Sequence, residues 1–207
     1  MRFKDLLGNL TLANQLTFLR LVAVPFFVLA LLEGRFVVAL ALFIAAALTD
    51  AADGLIARWF RQGTPLGAYL DPAADKLLIL AGFVLLTDYP AMFQGIEMTI
   101  RIPLWLTVLV ISRDVLIVVV ALILYLAAGQ TRFPPTIWGK LTTACDSVTV
   151  GVLLLYNSLA ADGLLPVLMV WIALCLTLVS GFHYLWRTVH RLRQEPDSAR
   201  GEGGVRG

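Results

Sequence analysis

A chain of 207 residues with 59% hydrophobic and only 14% charged residues, at a formal net charge of +2, lies outside the balance of soluble globular domains. Its mean hydropathy of +0.85 excludes a disordered polyelectrolyte, and no nucleic-acid partner is expected. The natural unit is the membrane span of about 20 apolar residues, and six such spans leave no room for a second domain.

Residues 2–14 carry Leu6, Leu7 and Leu10 with Arg2 and Lys4. This suits a short helix in the headgroup layer and equally a plain basic flank. No small-residue cleavage site follows a short apolar core, so no removable signal peptide is expected. Apolar runs then fall at 16–33, 36–58, 70–87, 102–128, 141–160 and 164–187, each read as a transmembrane helix. The expected fold is therefore an all-α integral membrane protein of six transmembrane helices with a short N-terminal interfacial helix, in one domain over 1–193. Cys145 and Cys175 both fall inside spans and read as small core residues. The polar, Gly-rich segment 194–207 is expected to be a disordered tail.

Basic residues flanking short loops are retained on the cytoplasmic side. Arg2, Lys4, Arg58, Arg61, Arg132, Lys140, Arg187, Arg191 and Arg193 collect on one side, against Arg35 and Arg101 on the other. Both termini are then expected in the cytoplasm of a cell (inner) membrane protein.

Between spans 2 and 3 runs DAADGLIARWFRQGTPLGAYLDPAAD, with four aspartates at Asp50, Asp53, Asp71 and Asp75. A carboxylate at bilayer depth costs roughly 2.5 to 3.5 kcal/mol on insertion scales. Four oxygen ligands with no His or Cys among them point to a hard divalent cation. On a helix, Asp50, Asp53, Gly54 and Ala57 occur at i, i+3, i+4 and i+7 and share a face, with Arg58 at its edge. The smooth Gly and Ala patch lets a flat or charged ligand approach the backbone. Asp71 and Asp75 form a second pair at i and i+4, and the turn-forming RQGTPLG segment allows the pairs to face each other. Together they can hold one or two Mg²⁺ or Mn²⁺ ions. Asp71 is either an N-cap with Pro72 at the first helical position, or part of a helix that begins earlier and kinks at Pro72.

The pattern Asp50-x2-Asp53-Gly54-x2-Ala57-Arg58-x8-Gly67-x3-Asp71-x3-Asp75 resembles the complete signature of the CDP-alcohol phosphatidyltransferases, every fixed position being filled. The likeness extends to Asn14, Thr17, Arg20 and Pro25 in the first span, which is similar to that of the bacterial glycerophospholipid branch. The resemblance implies that Asp50, Asp53, Asp71 and Asp75 ligate the metals, with Asp75 also the general base. Asp53, Gly54, Ala57, Arg58 and Gly67 would line the CDP pocket. It implies CDP-diacylglycerol as donor, CMP as leaving group and a homodimer.

Arg113, near the middle of span 4, and Lys140, opening span 5, are the candidates for binding a phosphate on the acceptor. The alternative is an Arg113–Asp114 or Arg113–Asp146 pair that orders the bundle. The acceptors implied are glycerol 3-phosphate and phosphatidylglycerol. The SRDV stretch, the Pro135-Thr136 lead and Ala121, where an additional arginine would be expected for the first acceptor, resemble cardiolipin synthases. Chain length and motif favour glycerol 3-phosphate. The rival classes are an intramembrane prenyltransferase, which needs more spans and no Gly-x2-Ala-Arg insert, and a six-span cation transporter, for which mid-span acids beside helix breaks are expected.

Overall fold

Each apolar run becomes one helix. The computed structural model describes residues 12–60, 65–88, 97–128 and 136–201, and within these the side chains of 18–49, 74–88, 97–126 and 136–190. Among the described residues the helices are α1 (Leu12–Leu32), α2 (Phe36–Phe60), α3 (Pro65–Leu85), α4 (Leu104–Ala128), α5 (Ile137–Ser158) and α6 (Leu164–Gly201). The expected interfacial helix at 2–14 lies almost wholly outside the described residues.

The apolar runs mark the helices well and their polar extensions less well, because hydropathy reports the lipid-facing length and not where backbone hydrogen bonding stops. Thus α3 begins at Pro65 and not at 70, so Asp71 and Pro72 lie inside the helix and the N-cap alternative for Asp71 is not realised. Helix α5 begins at Ile137 because Thr136 caps it, its hydroxyl accepting from Gly139 N–H at 3.1 Å. At 38 residues, α6 is about 57 Å long, well beyond the ~30 Å hydrocarbon core, and carries the helix to Gly201 inside the segment expected to be a tail.

Helix α1 turns into α2 through Gly34, whose φ of 69° is the left-handed conformation that glycine adopts without strain. Gly34 N donates to Leu31 O at 3.0 Å and Arg35 N to Ala30 O at 2.8 Å, the paired bonds of a Schellman ending. In the bundle α1 packs on α2 and α3, α2 on α5, α5 on α6 and α6 on α4, while α3 touches α1, α2, α4 and α5. Phe27, Leu31, Phe43, Phe83, Leu106 and Leu153 form the apolar centre.

The outer surface inverts that of a soluble protein. Phe18, Leu48, Val118, Leu126 and Phe182 are exposed, whereas Arg20, Arg113, Asp146, Asn157, Thr142 and Ser180 are buried. An apolar exterior on this scale requires an apolar surrounding. Among the described residues, two helices hold stretches long and apolar enough to cross a membrane, Leu104–Leu126 and Leu164–His190. The first half of α6 is an almost continuous apolar run, so its sequence does not tell its faces apart: Cys175, expected in the core, is exposed, while Cys145 on α5 is half-buried.

The end of the bundle remote from the aspartates is tied down by hydrogen bonds. Ile102 N donates to Leu86 O at 2.7 Å and Asp88 N to Ile102 O at 2.8 Å, while Asn157 Nδ2 donates to Ile100 O at 2.8 Å and its Oδ1 accepts from Ile100 N at 3.1 Å. Thr87 and Thr107 hydroxyls meet at 2.6 Å. These bonds fix the relative heights of α3, α4 and α5, and so the register of charged groups nearer the other end.

Close packing of α3 on α5 depends on Gly82, where an added Cβ would lie 2.6 Å from Val150 Cγ1. Gly82→Ala is expected to lower stability by about 1–3 kcal/mol, and Val150→Ala in the same chain to recover part of it, measured by thermal unfolding in detergent.

Candidate active site

The aspartates fall on two helices that pack together. Asp50, Asp53, Gly54, Ala57 and Arg58 occupy the last turns of α2, and Gly67, Asp71 and Asp75 the first half of α3. Helical backbone through both segments keeps the i, i+3, i+4 and i+7 relations that put each carboxylate pair on one face. The side chains of Asp50, Asp53, Gly54, Ala57, Arg58, Gly67 and Asp71 lie outside the described ones. Asp75 is described and is half-buried.

From Asp75 inward the geometry is explicit. The next residue, Lys76, places Nζ 2.8 Å from Asp114 Oδ2 on α4. The other Asp114 oxygen, Oδ1, accepts from Arg113 Nη1 at 2.7 Å. Arg113 Nη2 donates to Ser180 Oγ on α6, and the residue as a whole is only 8% exposed. A connected line of charge thus runs from the aspartate helix through α4 to α6. Its middle is buried, where charges are tolerated only in company.

Arg113 also lies against the start of α5. A Cβ on Gly139 would stand 3.4 Å from Arg113 Nη2, and one on Gly181 would stand 3.7 Å from Arg113 Cγ, ordinary contact distances that set Arg113 against both α5 and α6. Lys140, the next residue on α5, is exposed. Arg113 therefore lies against the first turn of α5, on which Lys140 is the residue after Gly139. The expected alternative pair Arg113–Asp114 is also formed, and Asp146 makes no bond to Arg113 although both lie in the same electrostatic neighbourhood with Lys76 and Asp114.

Reasoning from the sequence assigned no role to Lys76 or Ser180 and named Asp146 only as an alternative partner of Arg113. Asp146 carried a usable signal, an acid inside an apolar run; Ser180 carried none. Arg20, noted as part of the resemblance, is 2% exposed on α1, the helix that packs against both aspartate-bearing helices. A permanent charge buried there marks it as a functional candidate on the same ground.

Comparison with known proteins agrees with this geometry. The family model of the CDP-alcohol phosphatidyltransferases matches residues 10–179. A protein of Mycobacterium tuberculosis named "Probable phosphatidylglycerophosphate synthase" is 37% identical over 185 residues, covering 86% of this chain and 81% of that protein. A Haemophilus influenzae protein named "CDP-diacylglycerol--glycerol-3-phosphate 3-phosphatidyltransferase" is 31% identical over 174 residues, covering 82% of this chain and 89% of that one. The human "Cardiolipin synthase (CMP-forming)" is 40% identical over a shorter 109 residues, 52% of this chain and 33% of that protein. The chain belongs to the CDP-alcohol phosphatidyltransferase family and is an enzyme of that class, a transferase.

Asp114 is the hinge of the charge line, since it holds both Lys76 and the buried Arg113. Asp114→Asn is expected to cost about 1–3 kcal/mol of stability, read as a lowered unfolding temperature. An unchanged temperature would show that the two ion pairs do not hold the bundle.

Proposed function

We propose that the enzyme transfers the phosphatidyl group of CDP-diacylglycerol to glycerol 3-phosphate, releasing CMP and forming phosphatidylglycerol phosphate. The observation that carries this reading is the line of ion pairs from Lys76, the residue after Asp75, through Asp114 to Arg113, which ties the helix of the donor motif to a buried cation suited to a phosphate-bearing acceptor. Relatives aligned over most of their length and named for this activity support it.

On the donor side, Asp53, Gly54, Ala57, Arg58 and Gly67 line the CDP pocket, small residues allowing the cytidine and pyrophosphate close to the backbone. The donor set fits a hard divalent cation, because Asp50, Asp53, Asp71 and Asp75 offer carboxylate oxygen alone on two contacting helices. Mg²⁺ or Mn²⁺ held by these residues, as two ions, supplies positive charge against the pyrophosphate and the departing CMP. Asp75 takes the proton from the acceptor's primary hydroxyl as that oxygen bonds to the phosphorus bearing the lipid. The bond from this phosphorus to the bridging oxygen breaks, and CMP leaves with the electron pair.

On the acceptor side, Arg113 supplies fixed charge beneath the first turn of α5 and Lys140 an exposed ammonium on it. The positive end of the helix adds to both. Both Arg113 terminal nitrogens already serve Asp114 and Ser180, so its contribution is a charge held in place.

All six helices are proposed to span the membrane, with both termini and the site at the cytoplasmic face, as a homodimer. The cation count across the loops supports this orientation. So does the neutralisation of the two arginines at the other end, Arg35 by Glu33 at 3.0 Å and Arg101 by Asp88 at 3.2 Å. The denser but shorter likeness to cardiolipin synthases keeps phosphatidylglycerol as the second acceptor to test.

Purified protein given CDP-diacylglycerol and Mg²⁺ or Mn²⁺ is expected to release CMP with glycerol 3-phosphate, and not with phosphatidylglycerol, serine or inositol phosphate. Release driven by phosphatidylglycerol would make it a cardiolipin synthase, and none with any acceptor would favour a cation transporter. Asp75→Asn is expected to lower turnover by about 10² to 10⁴ while CDP-diacylglycerol still binds. Normal turnover in that variant would remove Asp75 as the base.

A further inference from the structure

The charge line leaves one oxygen without a bond. Asp146 is only 5% exposed, and its Oδ1 has no hydrogen-bond partner. It faces a narrow crevice between α3, α4 and α5, walled by Lys76, Asp114 and Thr143 and closed by Phe83 and Val110. The free space is about 20 Å³, room for one water-sized group. Of the donors around it, Lys76 bonds Asp114 and the two Arg113 terminal nitrogens bond Asp114 and Ser180, while Arg113 Nε is likewise buried without a partner; none of them bonds Asp146 Oδ1. A buried carboxylate oxygen left bare is costly, which favours a working state in which a donor from outside occupies the crevice.

The shape and charge of the crevice define that donor. It must bring a proton to an acidic acceptor and be no larger than a hydroxyl, and it enters beside Lys76, the sequence neighbour of Asp75, and Asp114, the partner of Arg113. A phosphate or carboxylate is excluded by size and by Asp114 and Asp146 together. Glycerol 3-phosphate, once its phosphate and reacting hydroxyl are assigned, has one polar group left.

We propose that the crevice between Lys76, Asp114, Thr143 and Asp146 is the subsite for the acceptor's non-reacting secondary hydroxyl, with Asp146 Oδ1 accepting its hydrogen bond. This rests on the phosphatidyltransfer reading above and makes Asp146 a specificity-determining residue. It gives the enzyme a means of choosing a glycerol backbone over other phosphate-bearing alcohols. A site built to bond a hydroxyl rejects the analogue lacking it far more strongly than an apolar pocket distinguishes shapes.

The test compares glycerol 3-phosphate with 3-hydroxypropyl phosphate, which keeps the phosphate and primary hydroxyl and lacks the secondary one. In the full-length protein kcat/KM for CMP release is expected to fall about 10- to 100-fold with the analogue. In Asp146→Ala the glycerol 3-phosphate value should drop toward that of the analogue, the two differing by less than about threefold. Should Asp146→Ala fail to fold, as judged by CDP-diacylglycerol binding, the isosteric Asp146→Asn carries the comparison, its ratio expected to be at least about threefold smaller than in the unaltered protein. Equal use of both acceptors by the unaltered protein, or an unchanged ratio in the recovered variant, overturns the subsite alone. Failure of the unaltered protein to release CMP with either acceptor overturns the phosphatidyltransfer reading beneath it.

Discussion

Arg113 is a permanent charge inside a bundle whose exterior is apolar, and the arrangement of α3 to α6 follows from keeping it in company. Asp114 supplies the counter-charge and is itself held by Lys76, while Ser180 takes the remaining terminal nitrogen. Removing one member of such a set leaves the others buried and uncompensated, which costs far more than the set contributes by existing.

The position of the network along α3 matters as much as its composition. Asp75 and Lys76 are consecutive residues, one belonging to the aspartate motif and the other, exposed, to the line of ion pairs that ends on the buried Arg113. Helix α3 is therefore shared by the donor and acceptor halves of the proposed reaction, and its contacts with α1, α2, α4 and α5 hold both halves to one frame. Hydrogen bonds at the far end, through Leu86, Asp88, Ile102 and Asn157, prevent α3, α4 and α5 from sliding past one another. A slide of one helical turn, about 5.4 Å, would separate Lys76 from Asp114.

The helices and the aspartate motif were legible in the sequence because both are local. Continuous apolar runs give the spans, and fixed spacing along one or two helices gives the carboxylate faces. Arg113 and Lys140 were legible as cations in unusual places, but the approach of Arg113 to the first turn of α5 depends on how α4, α5 and α6 pack. Lys76 looked like an ordinary flanking lysine, and only the approach of α4 makes it a partner of Asp114. Asp146 was visible as an acid within an apolar run and was considered as an Arg113 partner. Its unpaired oxygen, and the crevice it faces, are properties of three helices at once. The start of α3 was misplaced because Pro65 and Gly67 read as turn formers, although proline is well suited to the first position of a helix.

The central claim is that the acceptor half of the reaction is built on this buried charge network. A crystal structure of the protein with glycerol 3-phosphate and without donor tests it most directly. The account predicts the phosphate against Arg113 and Lys140 at the start of α5, with the primary hydroxyl directed toward Asp75. A phosphate bound away from both cations would contradict it.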